Sequence, residues 1–201
     1  MFNPCLKELP DARARHDLVP QAWAGVDPAR MWDCHAHLVG TGDSGSGIRF
    51  NAKMESPLYP MMYAQHLFYL NASCASASPG KVDATYVERL LAVVEGLRPG
   101  FKVMLMAFDH CHADDGTSLP AESAFYVPNE YPMAVARRYP KQFEWIASIH
   151  PYRRDAVDAL RAAAANGARA IKWLPAAMNI DPASKRCLPF YEQLKALDIP
   201  V

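Results

Sequence analysis

Apolar residues along this chain fall into two alternating rhythms. Short apolar-rich runs stand at residues 31–38 (MWDCHAHL), 101–108 (FKVMLMAF), 143–149 (FEWIASI) and 168–174 (ARAIKWL). Runs of that length bounded by Pro, Gly or charge predict strands, and the near-continuity of 101–108 predicts a strand buried on both faces. Between the runs, apolar positions recur at helical spacing and predict helices at 61–71, 83–97, 129–139, 155–166 and 188–197. In the 83–97 segment Tyr86, Val87, Leu90, Leu91, Val94 and Leu97 share one face, Asp83 is placed to cap, and Arg98-Pro99-Gly100 ends the helix. Gly167 closes the alanine-rich 155–166 segment, and Ile199-Pro200-Val201 opens another apolar run.

Strand–helix units repeated in this way predict an α/β fold with a parallel sheet and right-handed crossovers. Residues 1–28, rich in proline and charge, read as a lead-in arm with room for one short helix, and 29–201 as the α/β domain. Four and a fraction units are too few for a closed (β/α)8 barrel, which takes about 250 residues. The expectation is therefore a (β/α)8 TIM-barrel-type fold of which this chain holds about the first four β/α units, in preference to a complete open domain. Such a piece would expose sheet edges, fold with marginal stability and self-associate.

Composition narrows the function classes. Lys and Arg number 21 and Asp and Glu 21, so no net field favours nucleic acid or an anionic membrane. No apolar run approaches a membrane span, and Met1-Phe2-Asn3-Pro4-Cys5-Leu6-Lys7 lacks the features of a signal peptide. Five cysteines, odd in number and without a CxxC pair, favour reduced thiols in a cytoplasmic protein.

The chemistry-bearing signal is His35-Ala36-His37 at the end of the first predicted strand. Side chains alternate along a strand, so both imidazoles point the same way, about 7 Å apart along it. Two neutral imidazoles beside a loop holding Gly40, Gly42, Gly45 and Gly47 suit a divalent metal, with zinc the expected ion. By strand parity Met31, Asp33, His35 and His37 share the metal-facing side, leaving Trp32, Cys34, Ala36 and Leu38 towards the helices.

A second pair, His110-Cys111-His112, follows the 101–108 run beside Asp109, and His150-Pro151 follows 143–149. A metal site, a substrate contact and a solvated loop all remain open for His110 and His112; His150 divides between pocket contact and packing. His66, in an apolar helix with Met61 and Met62 nearby, reads as a packing histidine. Cys34 and Cys111 show no activating neighbour.

With His35-x-His37, His150-Pro151 and the run Gly167-Ala168-Arg169-Ala170-Ile171-Lys172-Trp173-Leu174-Pro175 in this order, residues 31–201 resemble the metal-dependent amidohydrolase superfamily, within it the amidohydrolase family 2 branch. The resemblance implies a (β/α)8 barrel with one or two metals at the C-terminal ends of the strands, His35 and His37 as metal ligands, and a small-molecule substrate. It gives Lys172 three possible roles: a carboxylated metal bridge, a cationic pocket residue in the catalytic centre, or a structural lysine. Asp109, His112 and His150 fall on the rim where substrate binds. The family's further metal histidines and its proton-transferring aspartate lie on later strands, so residues 1–201 would hold the metal incompletely and lack turnover by themselves. The implied activity is metal-dependent hydrolysis of a carbonyl-type substrate. Alternatives are non-oxidative decarboxylation, a TatD-like metal nuclease (disfavoured by Lys172 where a glutamate is wanted), and an inactive interaction module. A homo-oligomer is left open.

Overall fold

The computed structural model describes Cys5, residues 15–75 and residues 80–201. Residues 1–4 and 6–14 of the lead-in arm therefore lie outside the described residues. In chain order the elements are α1 (Leu18–Ala22), β1 (Trp32–His37), β2 (Arg49–Phe50), α2 (Pro60–Ser73), α3 (Val82–Glu95), β3 (Lys102–Met106), β4 (Phe125–Tyr126), α4 (Glu130–Arg138), β5 (Phe143–Ile146), α5 (Ala156–Ala165), α6 (Pro175–Met178) and α7 (Leu188–Leu197). Pairing of β1 with β3 and of β3 with β5 is parallel, so the sheet runs β1-β3-β5 in sequential order, as the alternating pattern predicts.

The fourth apolar run departs from expectation. Residues 168–174 lie beside β5 through a single parallel bridge, Ala147 to Ile171, and form no regular strand. The Arg169 N–H donates to the Trp145 carbonyl at 3.0 Å, while the Ala147 N–H donates to the Ala170 carbonyl at 3.0 Å. Two residues thus stand where one would continue the ladder, which is a β-bulge. Beyond it the Ile171 N–H donates to the Pro200 carbonyl at 2.9 Å, so the next apolar run lies alongside. Among the described residues the sheet does not close into a barrel.

One face of the sheet carries the main core. Val103 and Leu105 of β3, Phe143 and Trp145 of β5, and Ile171 are buried with Val87 and Val94 of α3, Leu160 of α5 and Phe190 of α7. Burying each such side chain fully contributes roughly 1.5–3 kcal/mol, so this helix-covered face supplies most of the stability. The opposite face holds a smaller cluster, Met104, Met106 and Ile146, with Trp32 and Ala170 against it. Its lower edge is charged: Glu144 accepts from Lys102 Nζ at 2.7 Å and Arg169 Nε at 3.0 Å.

A small antiparallel pair, β2 with β4, sits apart from this sheet. Two-residue strands are too short to show a period, and the sequence pattern did not predict them. The glycine-rich loop after β1 is held by Asp83. That carboxylate is fully buried and accepts from the Thr41 N–H at 2.7 Å and from the Ser44 and Ser46 hydroxyls. A Cβ at residue 40 would stand 2.2 Å from Asp83 Oδ1, so only glycine lets the loop approach this closely. Asp83 therefore does not cap its own helix as expected. The α3 N-terminus is capped instead by Asp43, whose carboxylate accepts from the Val82 and Asp83 N–H groups at 2.8 and 3.2 Å.

Cysteine usage is also corrected. Cys5 and Cys74, 69 residues apart, form a disulfide that ties the lead-in arm to the end of α2, leaving Cys34, Cys111 and Cys187 as free thiols. An odd count and the lack of a CxxC pair do not exclude one long-range bridge. Disulfides belong to oxidising compartments, so the reading of a cytoplasmic protein with reduced thiols loses its support. No helix among the described residues is long and apolar enough to cross a membrane.

Candidate functional site

His35 and His37 reach their positions through a bulge in β1. Trp32 pairs with Lys102 and Asp33 with Val103, yet Ala36 pairs with Leu105, so β1 carries one residue more than β3 between those points. The device is local: Asp33 Oδ1 accepts the His35 N–H at 2.9 Å, which turns that amide away from the ladder. The extra residue flips the parity. Trp32 falls on the face of Met104 and Met106, and Ala36 packs against the helix-covered core. The expected placement of Trp32 towards the helices and Asp33 with the histidines is thereby corrected, whereas Ala36 and Leu38 lie where parity put them.

Past the bulge the two imidazoles converge, with ring centroids 5.1 Å apart. Neither ring makes a hydrogen bond to another described residue. His37 is half-buried, and burial first, then the nearby His35 and Lys172, hold its pKa below the ordinary imidazole value. It is therefore neutral at pH 7, the form that ligates metal. Lys172, beyond the second bulge, lies within electrostatic reach of His37. Its amide donates to the Ala147 carbonyl at 2.7 Å, fixing the backbone that presents it.

The donor chemistry fits a divalent ion as two of its ligands. Among the described residues no third His, Cys, Asp or Glu stands with the pair. Next to His37 opens a cleft of about 340 Å³, walled by Phe50 of β2, Phe125 of β4, Tyr69, Ala72 and Ser73 of α2, Tyr86 of α3, and Val39. Tyr86 donates its hydroxyl to the His37 carbonyl at 2.6 Å, anchoring the end of β1. Sequence pattern placed Tyr86 on the apolar face of its helix, and nothing in that pattern distinguished it from a core residue.

The rim residues form a second, separate cluster. Asp109 is buried, and its carboxylate accepts from the His110 N–H at 2.8 Å, the His150 N–H at 2.9 Å and Arg153 Nη1 at 3.0 Å. Arg153 also grips Asp155 through Nε and Nη2 at 2.9 and 2.8 Å, and holds that carboxyl below its usual range. The Ser148 hydroxyl accepts the Asp109 N–H at 3.0 Å and donates to the Lys172 carbonyl at 2.9 Å. Asn129 bonds both backbone groups of Ser148. These contacts stitch together the C-terminal ends of β3, β5 and the 168–174 run. Arg153, Ser148 and Asn129 had no sequence signal as a group, since they come from two separate loops, Asn129 before α4 and the other two between β5 and α5.

His150 is fully buried with both ring nitrogens engaged: Nδ1 accepts the Tyr152 N–H at 3.1 Å and Nε2 donates to the Met178 carbonyl at 2.8 Å. His112 is buried, directs Nδ1 to the His110 carbonyl at 3.0 Å and packs on the His150 ring at 4.8 Å. His110 stacks flat on Tyr126 at 3.9 Å. A groove of about 510 Å³ passes Asp109, His110, His112, Tyr126, Arg153 and Arg154. The cleft beside His37 has none of Asp109, His112 or His150 in its walls. His66 packs as expected, against Phe50 at 4.4 Å, with Nδ1 donating to the Met54 carbonyl. Burial pushes the Cys111 thiol up, consistent with an unactivated cysteine.

No protein-family model matches this chain, and no curated protein matches it.

Proposed function

We propose that this chain carries the first two metal ligands of a metal-dependent, amidohydrolase-like hydrolase acting on a small carbonyl-type substrate, built on a (β/α)8 TIM-barrel-type plan. The observation that carries the reading is the convergence of His35 and His37, 5.1 Å apart with ring nitrogens that bond no described residue, at the C-terminal end of a parallel strand. The resemblance of residues 31–201 to amidohydrolase family 2 supports it, as does the α/β order of the sheet.

His35 and His37 hold the ion, which supplies Lewis-acid polarisation of a carbonyl oxygen when bound. The neutral state of His37 leaves a ring lone pair for ligation at pH 7. Lys172 brings a positive charge towards the same histidine, where it attracts a carbonyl or carboxylate oxygen of the substrate. Asp109 and His150 act at one remove, through the Ser148 hydroxyl that donates to the Lys172 carbonyl, and His112 packs on the His150 ring behind them.

Equilibrium dialysis against Zn²⁺ tests the ligand assignment. His35→Ala and His37→Ala are each expected to weaken retention at least tenfold. Retention by both variants equal to that of the unaltered chain would overturn the reading.

A further inference from the structure

We infer that the cleft beside His37 binds an uncharged aromatic ring, and that this ring is the non-reacting part of the substrate; the second clause rests on the hydrolase reading above. Three features of the cleft lead there. Its walls are aromatic on three sides, with Phe50 and Phe125 tilted at 4.8 Å and Phe50 and Tyr69 stacked at 6.5 Å. Among the described residues no Asp, Glu, Lys or Arg lines it. Its hydroxyls are already engaged: Tyr86 donates to the His37 carbonyl, Ser73 donates to the Leu70 carbonyl at 2.8 Å, and Tyr69 accepts from Gln65 at 2.6 Å.

A charged group entering such a cleft would lose its hydration with no counter-charge on the walls that the described residues form. A sugar or polyol would find few donors or acceptors still open. An aromatic ring instead replaces poorly hydrated surface with offset and edge contacts to Phe50, Phe125 and Tyr69. Size agrees. Benzene fills an apolar cavity of roughly 150 Å³, so about 340 Å³ accommodates one ring with a substituent, or two fused rings. A ring seated here points its substituent at His37, the one ionisable imidazole on the wall. The cleft thus selects by the ring, and the histidine pair meets whatever carbonyl the ring carries.

The test is a ligand-observed NMR titration of the whole chain with benzamide and with acetamide, which share a carbonyl and differ in the ring. Benzamide is expected to bind at least tenfold more tightly than acetamide. Ala72→Phe places a ring inside the cleft from an α2 position that is otherwise exposed, and is expected to weaken benzamide at least tenfold. Equal binding of the two amides by the unaltered chain overturns the proposal without reliance on any variant. Undiminished benzamide binding by a folded Ala72→Phe chain, checked by circular dichroism, also overturns it. The amide comparison needs no metal, so ring binding without zinc retention supports the cleft and overturns the hydrolase reading alone. Zinc retention without ring preference does the reverse.

Discussion

Two His-x-His motifs occupy this chain, and the fold treats them in opposite ways. In His35-x-His37 the rings converge at 5.1 Å and leave their nitrogens unbonded to other described residues. In His110-x-His112 the rings part: one stacks on Tyr126, while the other packs on His150 and bonds a backbone carbonyl. The first pair sits at a strand end, where alternation forces two side chains to one side. The second sits in a loop without that constraint, and Asp109, Arg153 and Ser148 take up its surroundings with hydrogen bonds. Motif spacing alone does not distinguish them; the backbone conformation that carries the spacing does.

The largest expected effect concerns the walls of the first region. The Cys5–Cys74 bridge closes a loop of 69 residues and ends at the helix bearing Tyr69, Ala72 and Ser73. In the chain-entropy account such a loop contributes up to about 4 kcal/mol. Cys74→Ser is expected to lower the denaturant midpoint of the oxidised protein and to leave the midpoint under reducing conditions nearly unchanged. Equal loss in both conditions would show that the bridge is not what holds α2.

Next is the second region. Asp109→Ala removes the acceptor for the His110 and His150 amides and one of the two carboxylates on Arg153. Leaving such buried groups unpaired costs roughly 2–4 kcal/mol. Chemical denaturation is expected to show that loss; a change within experimental scatter would mean that the rim is not a structural clasp.

A smaller effect follows from His150. Burial is the main cause that keeps its pKa below the ordinary value, with His112 and Arg153 acting in the same direction and Asp109 and the Met178 carbonyl against it. The unfolded chain, with an ordinary pKa of about 6.5, then binds more protons than the folded chain just below that pH. Stability contributed by neutral His150 is complete above about pH 6.5 and falls as pH drops towards the lower folded pKa. His150→Gln keeps a donor for the Met178 carbonyl and does not titrate. The loss of stability between about pH 7.5 and about pH 5.5 is expected to be smaller in that variant. An equal loss would assign the acid sensitivity elsewhere, His37 and His110 being the other imidazoles with lowered values.

Much of the plan was legible in the chain. The continuity of 101–108 and 143–149 located β3 and β5, and their spacing by helical segments gave a parallel sheet in sequential order. Alternation put His35 and His37 on one side. What escaped were features that depend on one extra residue or on distant partners. The bulge at β1 arises from a single Asp33 carboxylate turning to the His35 amide, which displaces Trp32 from its expected face. The bulge at Arg169 and Ala170 reduces a predicted strand to one bridge. The Asp83 clasp, the Arg153 network and the disulfide join residues tens of positions apart, and periodicity carries no information about such pairs.

The contrast between the two motifs can be read in one titration. Addition of Co²⁺ to the whole chain, followed by the ring-proton resonances of its histidines, reports each imidazole separately. The account predicts that the His35 and His37 signals broaden together at the lowest Co²⁺ concentration. Those of His110 and His112 should respond only at concentrations at least tenfold higher. Broadening of His110 and His112 first, or of all four in parallel, would contradict it.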